Sequence, residues 1–203
     1  MSATDPIPAW LRPHRDLGPL EGVLSRPVRL PVPQVVGAAV AALLLVVPAV
    51  ARTLDAGADA LGVPGQVASP VGPVWIWAAV AVAVATVAMA GRSLRRLDWP
   101  LPALLRAVEY GTVLLLTGAS PWAYLLLAVL AAHHYGIVYR VRLSGTGSHG
   151  WLSLLAGGWP VRCAVVVVAA ATATLEVVVP TLVLLLGPLV ATDALVSWRH
   201  LGR

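Results

Sequence analysis

With 59% of its 203 residues hydrophobic and only 11% charged, the sequence falls well short of the about 25% charged residues of a soluble globular domain. A membrane-spanning helix needs about 20 mainly apolar residues, so six spans would occupy roughly 120 positions and leave no room for a separate soluble catalytic domain. The net charge of +5 comes from 14 scattered basic residues, all Arg, which excludes a nucleic-acid groove, and the single cysteine, Cys163, excludes an internal disulfide.

Residues 1–33 contain seven prolines and read as an irregular cytoplasmic tail with no fold of its own. The first apolar run, 34–51, ends in Ala49-Val50-Ala51, which is similar to a signal-peptidase site. It starts too far from the N-terminus for a secretory signal and reads as an uncleaved first span. The second span is expected at 74–91 and is followed by a basic turn with Arg92, Arg95 and Arg96. The third is expected at 103–119 and the fourth at 121–139, with Pro121 opening it. After a Gly- and Ser-rich stretch with an apolar patch at 151–156, the fifth span is placed at 161–179. Pro180 is expected to begin the sixth, which ends near Trp198. The fold class that results is all-α: a polytopic bundle of about six transmembrane helices, one domain over 34–203.

Arg gathers on the cytoplasmic side of membrane proteins. With both termini inside, only Arg52 of the 14 Arg lies outside, and the outer loop 52–73 instead carries Asp55 and Asp59. Tryptophan favours the two interfaces. Trp75, Trp77 and Trp122 fall at expected outer ends, and Trp99, Trp151, Trp159 and Trp198 at inner ones. Both signals place the chain in the cell membrane, multi-pass, with both termini cytoplasmic. Neither half repeats the other, and the mid-bilayer positions offer only scattered Thr and Tyr124, which disfavours a transporter.

The third and fourth spans form an antiparallel hairpin, so residues equally far from its turn near 121 share a depth. Glu109 lies 12 residues before that turn and His133 12 after it; Tyr110 and His134 match almost as well. At 1.5 Å per residue these groups sit roughly 18 Å from the outer turn, towards the cytoplasmic face. Ionisable groups in a membrane are costly and gather where they find partners. Arg106 and Glu109, three apart, can pair; His133, His134 and Glu109 are the catalytic candidates. Arg106, Tyr110, Tyr135, Tyr139, Arg140 and Arg142 are the candidates to bind an anionic phospholipid headgroup, since guanidinium forks suit phosphate oxygens. Tyr135, Tyr139 and Arg142 share one face of the fourth helix, and His133 and Arg140 another. The plainer reading makes Arg106–Glu109 an ion pair that locks the hairpin, and Arg140 and Arg142 orientation anchors. No metal or other cofactor is expected: adjacent His133 and His134 diverge by about 100° on a helix, and no carboxylate or cysteine completes a familiar ligand set. Thr172, Thr174 and Thr181 read as helix residues bonding their own backbone, and Asp193 as a partner of Arg199 or a member of the inner layer.

Glu109-Tyr110-Gly111, His133-His134-Tyr135 with Tyr139-Arg140-x-Arg142, and Gly157-Gly158-Trp159 ahead of Arg162 together resemble an uncharacterised membrane domain of high-GC (actinobacterial-type) bacteria. That domain accompanies CDP-alcohol phosphatidyltransferases and sugar-phosphate nucleotidyltransferases of inositol-lipid synthesis. The resemblance covers about residues 98–200. In its pattern an acidic residue follows the His-His-Tyr, where this sequence has Gly136. It implies a membrane phosphatidyltransferase as partner and a role in phospholipid or glycolipid metabolism at the inner leaflet, as a non-catalytic accessory or scaffold subunit. The alternative is a lipid-phosphate-modifying enzyme using the His/Arg/Glu cluster. A phosphatidyltransferase in its own right is not expected. The aspartate signature of those enzymes has only a loose counterpart in Asp55-Ala56-Gly57-Ala58-Asp59-Ala60, on the outer side.

Overall fold

The computed structural model describes residues 16–20, 30–60, 73–92, 98–118, 120–144 and 155–201. Within them the chain forms six helices: α1 (Gln34–Ala60), α2 (Val74–Ala88), α3 (Leu101–Thr117), α4 (Pro121–Ser144), α5 (Gly158–Ala171) and α6 (Leu175–Leu201). A single 3-10 turn lies at Gly18–Leu20, and Leu30–Pro33 (β1) pairs in parallel with Gly91–Arg92 (β2). The basic residues Arg95 and Arg96, the apolar residues 151–154 and most of the proline-rich tail lie outside the described residues.

Small side chains bring the first helices together. Ala38 and Ala41 of α1 and Ala78, Ala81 and Ala85 of α2 are fully buried, and Gly37 sits so close to α2 that a Cβ there would meet the Ala88 Cβ at 2.3 Å. Close approach of this kind is how helices associate where burial of apolar bulk drives nothing, as in lipid. The large side chains point the other way. Val36, Val40, Leu43, Val47 and Val50 form an exposed apolar stripe along α1, and Val177, Leu184, Leu185 and Leu195 are exposed on α6. Such surfaces suit lipid and not water.

Three helices are long and apolar enough to cross a membrane: Gln34–Thr53, Pro121–Leu143 and Leu175–Ser197. Helices α2 and α5 are shorter apolar helices of 15 and 14 residues.

The helices alternate in direction. Gln34, opening α1, donates through Nε2 to the carbonyls of Met89 (3.1 Å) and Gly91 (2.9 Å) just beyond α2. At the far end, Arg52 of α1 donates to the Leu115 carbonyl of α3. One end of the bundle therefore collects the starts of α1, α3 and α5 and the ends of α2 and α4. Helix α1 packs on α2 and α3, α4 packs chiefly on α6, and α5 bridges the two groups by touching α2, α3 and α6.

The α3–α4 turn follows its sequence closely: Gly118 takes φ +64, Ser120 Oγ accepts from the Ala123 amide at 3.1 Å, and Pro121 fills the first helical position. The α5–α6 join does not. The helix breaks at Thr172–Thr174, and Pro180, expected to open the last helix, lies inside α6. Ala173 adopts φ +54. The Thr174 amide reaches the Ala169 carbonyl (2.8 Å), and the Ala173 amide reaches that of Ala170 (3.3 Å). This is a Schellman closure with alanine in the left-handed position that glycine normally fills, so the sequence lacks the usual stop signal. Thr174 then caps α6, its carbonyl accepting from Val177 and Val178, while Thr172 and Thr181 bond the carbonyls of Val168 and Val177 in their own helices. Ala173→Gly should stabilise the protein by about 1 kcal/mol by relieving the left-handed alanine. The midpoint of thermal unfolding, followed by tryptophan fluorescence in detergent, would show it; an unchanged or lower midpoint would count against this geometry.

Candidate functional site: a buried charge cluster under the N-terminal segment

The end of the bundle that collects the starts of α3 and α5 and the end of α4 is capped by residues 16–20. Two glycines from opposite ends of the sequence make this docking possible. Gly18 (φ +55) and Gly158 (φ +68) lie backbone to backbone. A Cβ on Gly158 would meet the Leu17 carbonyl carbon at 2.5 Å and the Gly18 nitrogen at 2.6 Å. The Trp159 amide, at the start of α5, donates to the Asp16 carbonyl at 3.0 Å. Leu17 joins the apolar core beside Trp159 and Cys163. The tail is thus not wholly without structure, and Trp159, expected at the membrane interface, is completely buried.

This docking places the Asp16 side chain inside the bundle. Arg162, one turn into α5, holds two carboxylates at once: Nη2 donates to Asp16 Oδ2 at 2.6 Å and Nε to Glu109 Oε1 at 2.8 Å. Its Nη1 donates to the Ala156 carbonyl at 3.2 Å. Arg106 donates to Glu109 Oε2 at 3.2 Å and stands 4.0 Å from Asp16 Oδ2. From α4, His134 Nε2 lies 3.4 Å from Glu109 Oε2 and 3.6 Å from Asp16 Oδ2, and His133 Nε2 lies 3.5 Å from that same Asp16 oxygen. The Tyr110 hydroxyl and His134 Nδ1 share a hydrogen bond of 2.7 Å. Asp16, Glu109, His133, His134 and Arg162 are all buried. Burial by itself would push the Asp16 carboxyl up, but the Arg162 guanidinium, with His133 and His134, holds it well below the ordinary carboxylate range. A cavity about the size of one water lies beside Glu109 and Arg162, walled by Val113, Leu126, Leu130 and other apolar side chains.

A family profile matches residues 10–200, nearly the whole chain and including the docked segment. The chain belongs to DUF5941, a family of unknown function. No curated protein and no solved structure matches it.

In this DUF5941 chain the residues singled out by depth separate into two groups. Arg106, Glu109, Tyr110, His133 and His134 meet in one cluster. Arg140 is also buried, but it faces α6, where it pairs with Asp193 and donates to Ser197 Oγ at 3.1 Å. Asp193 therefore pairs across to α4. Tyr135, Tyr139 and Arg142 face outward; the Tyr135 and Tyr139 rings stack with centroids 6.2 Å apart, and Tyr135 is 70% exposed.

Sequence reasoning missed the two groups that complete the DUF5941 cluster. Arg162 carried a signal, since it sits near the start of α5, at the end of the bundle where Glu109 lies. Asp16 carried none: it is 146 residues from Arg162, in a segment whose composition resembles an unstructured tail. The divergence expected of adjacent histidines is also offset, because both Nε2 atoms come within 3.6 Å of one oxygen of Asp16.

Proposed function

We propose that this protein is a multi-pass module of the cell membrane, with both termini cytoplasmic, that assists a phospholipid or glycolipid enzyme without catalysing turnover itself. The observation that supports this reading is the closure of the charge cluster. Arg162 is committed to Asp16, Glu109 and the Ala156 carbonyl, and Arg140 to Asp193 and Ser197. The cavity lined by Glu109 and Arg162 has room for about one water. Buried groups that neutralise one another hold a structure together, whereas a lipid-phosphate substrate needs an open guanidinium.

The outward face of α4 remains for recognition. Stacked Tyr135 and Tyr139 with exposed Arg142 in the last helical turn suit an anionic phospholipid headgroup. The sequence resemblance supplies the class of partner, a membrane CDP-alcohol phosphatidyltransferase. Affinity purification in mild detergent should recover that class of enzyme with the tagged chain, and the purified chain alone in liposomes with CDP-diacylglycerol and an alcohol acceptor should transfer no phosphatidyl group and release no CMP. Transfer by the chain alone, abolished in a folded His134→Ala variant, would instead establish the enzyme reading, with His134 as general base.

A further inference from the structure

The cluster contains one feature that hydrogen bonding does not explain. His133 is 3% exposed, yet its Nδ1 has no partner and its Nε2, like that of His134, stands near the Asp16 carboxylate without forming a hydrogen bond; Asp16 Oδ1 is likewise buried without one. Buried polar atoms are almost always satisfied, and here the unsatisfied ones converge. The ligand atoms of Asp16, His133 and His134 lie within 4.8 Å of one another.

We propose that Asp16, His133 and His134 form a binding site for a divalent first-row transition cation, with Zn2+ the best fit. Two imidazole nitrogens and one carboxylate are a donor set for such ions and not for Mg2+ or Ca2+, which take oxygen. The spacing agrees. Metal–nitrogen and metal–oxygen bonds of about 2.1 Å in a tetrahedron set ligand atoms about 3.4 Å apart, and the two Nε2 atoms stand 3.5 and 3.6 Å from Asp16 Oδ2. In the His134 tautomer whose Nδ1–H donates to the Tyr110 oxygen, 2.7 Å away, the Nε2 lone pair faces Asp16, as a metal ligand's should. Arg162 and the ion share Asp16 Oδ2, one lone pair taking the Arg162 hydrogen bond and the other facing the histidines, while Oδ1 has no hydrogen-bond partner. Glu109 Oε2, 3.4 Å from His134 Nε2, lends a second negative charge. The ion clamps the docked segment to α4 as Arg162 clamps it to α5. This role does not depend on the accessory function, and its test requires no partner enzyme.

The test uses the full chain in detergent with its affinity tag removed, dialysed against a weak chelator and analysed for metal. One Zn2+ per chain should remain, and Co2+ in its place should give the visible bands of a tetrahedral site. Asp16→Asn and His133→Asn should each lose the metal. Tyr110→Phe leaves all three ligands in place and should weaken Zn2+ binding by about 10- to 100-fold. Arg106→Gln removes a competing positive charge and should tighten it. Folded wild-type protein that keeps no Zn2+ and gives no Co2+ bands would overturn the proposal. So would retention unchanged in His133→Asn; should that variant fail to fold, an unchanged affinity in Tyr110→Phe would be equally decisive.

Discussion

Replacing Arg162 with alanine should cost this protein about 3–5 kcal/mol, the penalty of breaking a buried ion pair by removing one partner. A typical domain has about 5–15 kcal/mol of stability in all, so the loss is a third or more. The reason lies in what stays behind. Asp16 and Glu109 are both buried, and Arg162 supplies the closest charged donor to each, at 2.6 and 2.8 Å. Arg106 can partly serve Glu109 but stands 4.0 Å from Asp16. Lysine at 162 should rescue little, because an ammonium cannot reproduce a planar fork that reaches two carboxylates and a carbonyl at once. Neutralising the set should rescue more: Asp16→Asn/Glu109→Gln/Arg162→Met removes the stranded charges together with their counter-ion, and buried ionic triads are often replaced at no cost. Thermal unfolding in detergent, followed by tryptophan fluorescence, would rank the variants. Arg142→Ala, on the exposed face, serves as the control and should change stability by less than about 0.5 kcal/mol. An Arg162→Ala midpoint as high as that of Arg142→Ala would mean that the carboxylates are not held as the structure shows.

How much of this was legible in the sequence depends on the range of the interaction. Helices α1 to α4 are readable because each is an apolar run with its own punctuation, such as Pro121 at the start of α4, although α1 continues to Ala60 through residues expected to begin an outer loop. Depth matching along the α3–α4 hairpin brought Glu109, Tyr110, His133 and His134 together because helical rise is a local, regular quantity. The α5–α6 boundary was misplaced because Ala173 occupies a position where glycine is the usual signal, while Pro180, an apparent stop, lies within the first two turns of α6. Partners on separate elements were not legible. Arg140 found Asp193 on α6, and Arg162 found Asp16 near the N-terminus, through packing that no periodicity encodes. The orientation of the bundle rests on the Arg and Trp distribution alone.

The second large effect belongs to a residue with no side chain. Gly158→Ala should detach residues 16–20 from the bundle while leaving the helices formed. At φ +68 any L-residue pays about 1–2 kcal/mol for the left-handed conformation. The new Cβ would also lie 2.5 Å from the Leu17 carbonyl carbon, 2.6 Å from the Gly18 nitrogen and 2.7 Å from the Asp16 carbonyl oxygen. These are backbone atoms, so no rotamer change relieves the contact; the segment has to move as a whole. Moving it breaks the Trp159–Asp16 backbone bond and withdraws the Asp16 carboxylate from Arg162, His133 and His134. Arg162 retains Glu109, so the bundle keeps its shape at a lower unfolding midpoint than the wild type. Hydrogen exchange should show the amides of 16–20 losing protection while those of α3 and α4 keep theirs. Gly18→Ala, which strikes Gly157 and Gly158 from the other side at 2.6–2.7 Å, should have the same effect. Because either change alone undocks the segment, the double variant should be scarcely worse than either single one. Full protection of 16–20 in both variants would mean that the glycine-to-glycine contact does not hold the segment in place. The position of Asp16 in the charge cluster depends on that contact.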